Sequence, residues 1–165
     1  MRITLLGNSG SGKSTFAHRL AHAHDLALLD LDTIAWEPGR IAVPRDATRA
    51  REDVESFCRS HARWVVEGCY AGLVSATLPF APRLVFLDPG LERCRANCRT
   101  RPWEPHKYSS KDEQDARLPF LLEWVEAYET RDGDVSRRAH AALFDAYDGP
   151  KQHLRDGAFT PSMLD

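Results

Sequence analysis

The chain alternates short, continuously apolar runs with longer amphipathic ones. Residues 3–6 read as a buried strand that enters a Gly/Ser-rich stretch at once. From Lys13 to about His24, Phe16, Leu20 and Ala23 recur at helical spacing. Residues 26–31 form a second apolar run with Asp30 and Asp32 at its end, and Trp36-Glu37-Pro38-Gly39 is a turn signal. Residues 45–63 predict a helix with Ala47, Ala50, Val54, Phe57 and His61 on one face. Trp64-Val65-Val66 is a third strand ending in Glu67-Gly68. Residues 83–88 are a fourth, bounded by Pro82 and Pro89, and a helix is expected from Leu91 to about Thr100.

The chain then changes character. Residues 101–108 are irregular, polar and aromatic, with two prolines, and read as a loop able to move. Leu118, Leu121, Leu122, Val125 and Tyr128 mark one helical face, with Pro119 near a helix start or kink. Asp134 is expected to cap a further helix through Ala146, which Asp148-Gly149-Pro150 ends. Residues 151–165 are read as a short fifth strand and a final turn.

Continuous apolar strands alternating with helices favour a parallel sheet covered on both faces. Ligands in such sheets bind at the carboxyl ends of the strands. The polar residues expected there are those from Gly7 to Thr15, Asp30 and Asp32, Glu67, and Asp88.

Composition narrows the function. The 165 residues suit one domain over 1–165, with 42% apolar and 28% charged residues. The net charge of −2 argues against a generic nucleic-acid or anionic-membrane binder. No run approaches a membrane span, and Gly7 and Asn8 interrupt the first apolar stretch too early for a signal peptide. Cys58, Cys69, Cys94 and Cys98 form no tight secreted framework and are read as reduced thiols of a cytoplasmic protein. Only four lysines occur among the 22 basic residues, and one of them sits in a motif.

That motif is Gly7-Asn8-Ser9-Gly10-Ser11-Gly12-Lys13-Ser14-Thr15, the phosphate-loop pattern G-x-x-x-x-G-K-[ST], with a strand before it and a helix after it. The glycines let the backbone curl with its N–H groups inward, making a nest for phosphate oxygens. The helix beginning near Lys13 adds its positive end. The Lys13 ammonium suits the β- and γ-phosphates of ATP, the Ser14 hydroxyl suits Mg²⁺, and Thr15 adds a phosphate contact.

With this loop the chain resembles the adenylate kinase-like small P-loop kinases over its first hundred residues, and within them the bacterial DNA topology modulation (FlaR-type) set. Further matching residues are Leu31-Asp32-Thr33-Ile34-Ala35-Trp36-Glu37-Pro38-Gly39, Trp64-Val65-Val66-Glu67-Gly68-Cys69-Tyr70 and Val85-Phe86-Leu87-Asp88. The resemblance implies a three-layer α/β/α P-loop fold with a five-stranded parallel sheet in order 2-3-1-4-5. It also implies a nucleotide on the loop, an acceptor site between the second and third strands, and a lid after the fourth, at about 101–120. Two departures stand out. Adenylate kinases carry Asp-Gly-Phe-Pro-Arg after the third strand, where this chain has Glu67-Gly68-Cys69-Tyr70, which weakens the case for a nucleoside monophosphate acceptor. Shikimate kinases share Asp-x-Asp but carry a Gly-Gly-Gly turn that is missing here, which speaks against shikimate.

Roles follow for the polar strand ends. Asp32 is the candidate to hold an acceptor hydroxyl and take its proton. Asp30, two residues earlier on an extended strand, is expected on the same face, orienting Mg²⁺ waters; a helix N-cap is the competing reading of either carboxylate. Glu67 stands where a Walker-B-type acid holds metal waters. Asp88-Pro89 reads as a turn start. Arg99 and Arg101 match the lid arginines, Arg101 for the transferring phosphoryl group and Arg99 for the nucleotide. Arg93, Arg95, Arg137 and Arg138 are expected to be solvated. Trp103, His106, Lys107 and Tyr108 either close over a ligand or anchor the loop. The pairs Cys94/Cys98 and His18/His22 have helical-turn spacing but no second pair at zinc-site spacing, so they read as buried thiols and surface imidazoles.

The expected activity is ATP- and Mg²⁺-dependent phosphoryl transfer to a small acceptor bearing a hydroxyl or a phosphate. A P-loop NTPase or nucleotide-binding regulator without an acceptor is the alternative.

Overall fold

The computed structural model describes residues 1–37, 43–105, 108–155 and 158–164. Five parallel strands form one sheet: β1 (Arg2–Gly7), β2 (Ala27–Asp30), β3 (Trp64–Gly68), β4 (Arg83–Leu87) and β5 (Lys151–Leu154), in order β2-β3-β1-β4-β5. The resemblance implied that order. The central strands are buried on both faces, so they are largely apolar rather than alternating, and the buried Thr4 in β1 is satisfied by the Thr77 hydroxyl.

Helices lie on both faces, because each strand must cross over to a parallel neighbour. On one face Ile3, Leu5, Val65, Val85 and Leu87 pack against Phe16, Ala17 and Leu20 of α1 (Lys13–His24), and Phe159 and Leu164 close that layer. The short α2 (Asp32–Ala35) follows β2 directly. On the opposite face α3 (Ala47–Ser60), α4 (Ala71–Ser75) and α8 (Arg137–Ala146) cover Leu6, Trp64, Val66 and Leu84. The helix expected over 45–63 is thus shorter, because Asp46 accepts from the Arg49 amide and caps it.

Between β4 and β5 run α5 (Leu91–Arg99), α6 (Lys111–Ala116) and α7 (Leu118–Glu126). The expected face of Leu118, Leu121, Leu122 and Val125 packs on Cys94 and Cys98. Pro119 sits in the first turn of α7, where its missing N–H costs nothing. Short 3₁₀ turns occur at Leu78–Phe80, Ala127–Glu129 and Pro161–Leu164, the last being the final turn expected from the sequence. No helix among the described residues is long and apolar enough to cross a membrane.

One cap differs from expectation. Ser136, not Asp134, caps α8 by accepting from the Ala139 amide. Asp134 lies outside the helix and its carboxylate instead accepts from the Gly72 amide at 2.6 Å.

Candidate active site

The loop between β1 and α1 has the geometry that its glycines predict. Gly10 and Gly12 have φ of +75° and +93°, a region that side chains disfavour. Gly10 also has no room for one, because a Cβ there would lie 2.4 Å from the Cys94 carbonyl oxygen and 2.7 Å from Cys98 Sγ. Asn97 of α5 donates to the Gly10 carbonyl at 2.8 Å, so α5 forms the rear wall of the loop. Lys13, the first residue of α1, is buried and donates its ammonium to the Asn8 carbonyl at 3.0 Å. The exposed Ser14 and Thr15 follow on the open side. Asn8 is buried, accepts from the Ser9 amide through Oδ1 and donates through Nδ2 to the Val125 carbonyl.

Next to the loop lie the ends of β3 and β2. Glu67 is in register with Leu5 on one side and Asp30 on the other, and is only 4% exposed. Burial pushes its pKa up; the Lys13 ammonium and a hydrogen bond with Ser14 pull it down, while Asp30 and Asp32 push it up again. Lys13, Ser14, Asp30, Asp32 and Glu67 therefore form one electrostatic cluster.

The expected geometry of Asp30 and Asp32 is corrected. β2 ends at Asp30, so the two carboxylates do not share an extended strand. Asp30 Oδ1 accepts from the Asp32 amide at 2.9 Å, which turns the chain into α2. This local bond ends the strand one residue before the apolar run does, since Leu31 is fully buried although outside β2. Asp30 thus makes a local turn bond rather than the helix N-cap of the competing reading, since Leu31 is the N-cap of α2, and it keeps its place beside Glu67.

Asp32 meets the loop that follows β3. The Tyr70 hydroxyl donates to Asp32 Oδ1 at 2.7 Å and accepts from Trp36 Nε1 at 3.0 Å. The rings of Trp36 and Tyr70 meet edge to face at 6.3 Å. Burial and the neighbouring Asp32 push the Tyr70 pKa far up, so the phenol stays a donor. Cys69 is pushed up to about 11 by burial and is no thiolate at neutral pH.

The arginines are arranged differently from the sequence reading. Arg101 pairs with Glu104 at 3.0 Å, and its charge and that of Lys13 both act on the Cys98 thiol. With the exposed Arg99 it lines a shallow cavity beside Tyr108, Arg117 and Leu121. Trp103 Nε1 donates to the Tyr108 carbonyl, an anchoring contact within the loop, while His106, Lys107 and part of the 36–39 turn fall outside the described residues. Arg93 and Arg138 are exposed as expected; Arg95 is half-buried between Glu92 and Glu126. Arg137 is not simply solvated, since it pairs with Asp88 at 2.9 Å and with Glu129 at 3.2 Å. Asp88, read as a turn start, is held there and by His153 at 3.4 Å.

Arg131 is the residue that sequence reasoning missed. Its guanidinium lies 3.8 Å above the Trp124 ring and donates to the Trp124 and Val135 carbonyls and to Asn8 Oδ1. No spacing singles it out among eighteen arginines, and only the tertiary fold brings it to the phosphate loop.

The residues fit Mg²⁺ and a nucleotide phosphate. Among the described residues no group of three or more His, Cys, Asp and Glu converges as a metal cage. One hydroxyl and two adjacent carboxylates suit Mg²⁺, which keeps several waters and takes phosphate oxygens as ligands. A cation there would also offset the burial and the Asp30 and Asp32 charges that raise the Glu67 pKa.

Solved structures share this architecture. A candidate kinase from Chloroflexus aurantiacus is 17% identical, over 99% of this chain and 91% of that one, at a TM-score of 0.55. A shikimate kinase from Bacteroides thetaiotaomicron is 16% identical over 95% and 86% at 0.54, and a sugar kinase from Janibacter is 15% identical over 99% and 88% at 0.51. The fold is that of a small P-loop kinase. No protein-family model and no curated protein matches the sequence.

Proposed function

We propose that the protein is an ATP- and Mg²⁺-dependent small-molecule kinase, which fits the likeness to the FlaR-type set seen in the sequence. The observation that carries this reading is the placement of two kinds of carboxylate around one phosphate loop. Glu67, with Asp30 beside it, adjoins Lys13 and Ser14, whereas Asp32 stands on the outer strand side with its orientation fixed by Tyr70. A hydrolase needs only to orient a water, whereas a transferase must also align an acceptor, and an oriented carboxylate on that side supports the transferase reading.

In this reading the N–H groups from Asn8 to Thr15 cradle the ATP phosphates and Lys13 leaves the Asn8 carbonyl for the β- and γ-oxygens. Ser14, Glu67 and Asp30 hold Mg²⁺ and its waters, and the metal supplies charge neutralisation between the phosphates. Asp32 accepts a hydrogen bond from the acceptor hydroxyl, aims its oxygen and takes its proton late in transfer. Arg99 ends α5, the rear wall of the loop, and Arg101 follows it; Arg101 would reach the phosphates by exchanging Glu104 for them.

Purified protein with MgATP should release ADP on addition of one acceptor class from a panel of nucleosides, nucleotides, sugars and hydroxy acids. Asp32→Asn should abolish that stimulation while keeping MgATP binding, and Glu67→Gln should impair transfer and background hydrolysis together. Slow hydrolysis unmoved by the whole panel, and equally reduced in both variants, would establish the NTPase alternative.

A further inference from the structure

The segment that follows α7 touches both halves of the site. On the nucleotide side the buried Asn8 donates to the Val125 carbonyl at 3.1 Å, and Arg131 donates to Asn8 Oδ1 at 3.3 Å. On the acceptor side the loop after β3 is held at three successive peptide units. His140 Nε2 bonds the Cys69 carbonyl at 2.7 Å, the Ala71 amide donates to the Asp134 carbonyl at 3.1 Å, and the Gly72 amide donates to Asp134 Oδ1 at 2.6 Å. Arg131 also donates to the Val135 carbonyl at 3.0 Å, which joins the two anchorages. Tyr70, whose hydroxyl orients Asp32, lies inside the stretch so held.

We propose that the segment from Val125 to His140 is a tie coupling nucleotide binding to the placement of the acceptor loop, with Asp134 as the positioning residue on the acceptor side. The inference rests on the kinase reading above. Coupling needs a contact that differs between the empty and the filled loop. Lys13 supplies it, because its ammonium bonds the carbonyl of Asn8, and an incoming phosphate competes for that ammonium. The residue whose bonding changes is the one whose side chain the tie grips. By linkage, an occupied acceptor loop must raise nucleotide affinity by the same factor. Gly72 leaves little slack at the other end, since a Cβ there would lie 3.2 Å from Asp134 Oδ1.

The test is amide hydrogen exchange at Ala71 and Gly72 in the full chain, with and without the Mg²⁺ complex of the β,γ-imido analogue of ATP. The nucleotide should slow exchange at both amides by roughly fivefold or more. Asp134→Ala should speed Gly72 exchange about tenfold and abolish the nucleotide response, while nucleotide affinity measured by calorimetry stays within about threefold. Asp134→Asn keeps a side-chain carbonyl and should restore the response, which a merely structural brace would not require. Nucleotide binding without any change at Ala71 and Gly72 in the unmodified protein overturns the tie alone, and that comparison needs no variant to fold. A response intact in Asp134→Ala removes Asp134 from it. No nucleotide binding at all overturns the kinase reading and the tie with it.

Discussion

Tyr70 donates its hydroxyl to Asp32 Oδ1 at 2.7 Å, across 38 residues of sequence. The bond orients the Asp32 carboxylate, and Trp36 completes the line by donating to the phenol oxygen. Tyr70→Phe keeps the ring and removes the donor. Hydrogen bonds to charged groups are worth about 1.5–3 kcal/mol, so kcat/KM for the acceptor should fall on the order of tenfold or more. MgATP affinity should be unchanged. Steady-state kinetics with each substrate varied in turn would check this.

Lys13→Ala should leave the fold intact, because the ammonium bonds loop backbone and carries no core packing. Turnover should drop on the order of 10²-fold or more, the usual cost of losing a charge-assisted contact to a transferring group. Near-normal ADP release from a folded variant would remove the phosphate-loop assignment.

Gly10→Ala tests the rear wall. The new methyl group meets the Cys94 carbonyl and Cys98 Sγ, in a backbone region that alanine disfavours. Strain and overpacking together should cost roughly 2–4 kcal/mol. Denaturant unfolding should show the loss. A second substitution at Cys98 to Ala should recover part of it, because it frees one of the two obstructing atoms.

His140 predicts an acid-sensitive fold. It is fully buried, with Nδ1 against the Tyr128 hydroxyl and Nε2 against the Cys69 carbonyl. Burial depresses its pKa to about 4 from 6.5, with Lys13 and Arg131 acting in the same direction and the Cys69 carbonyl and Asp88 against. A depressed folded-state value means that the stabilisation is present above the unfolded pKa and is lost as pH falls toward 4. Between pH 7 and 4.5 the loss from this group is on the order of 2 kcal/mol. Urea unfolding at both pH values should show a smaller difference in His140→Gln than in the unmodified protein. Equal differences would exclude His140 as a source.

The sheet was legible in the sequence because its strands are buried on both faces and leave continuous apolar runs such as Trp64-Val65-Val66. The phosphate loop was legible because its glycines have no substitute at those dihedral angles. The boundary of β2 was not, because one side-chain bond from Asp30 to the Asp32 amide overrides an apolar pattern that runs on to Leu31. The cap of α8 was misplaced because Asp134 and Ser136 are both good caps, and only the packing of Gly72 decides which carboxylate or hydroxyl turns where. Arg131 carried no local signal, and Tyr70 stood out only as the end of the matched segment after the third strand, with no role for its hydroxyl. Their partners, Asn8 and Asp32, are distant in the chain, and such pairings exist only after the layers assemble.

Phe159 packs its ring on Phe16 at 5.7 Å, stands beneath Gly12 and gives its carbonyl to Arg19. The phosphate loop is therefore made well before its prop. While the ribosome is still adding residues 100 to 150, the nascent chain carries the nucleotide motif with α1 missing one of its supports. The packing of α1 on the sheet is therefore completed only when Phe159, beyond the last strand of the sheet, has emerged and docked.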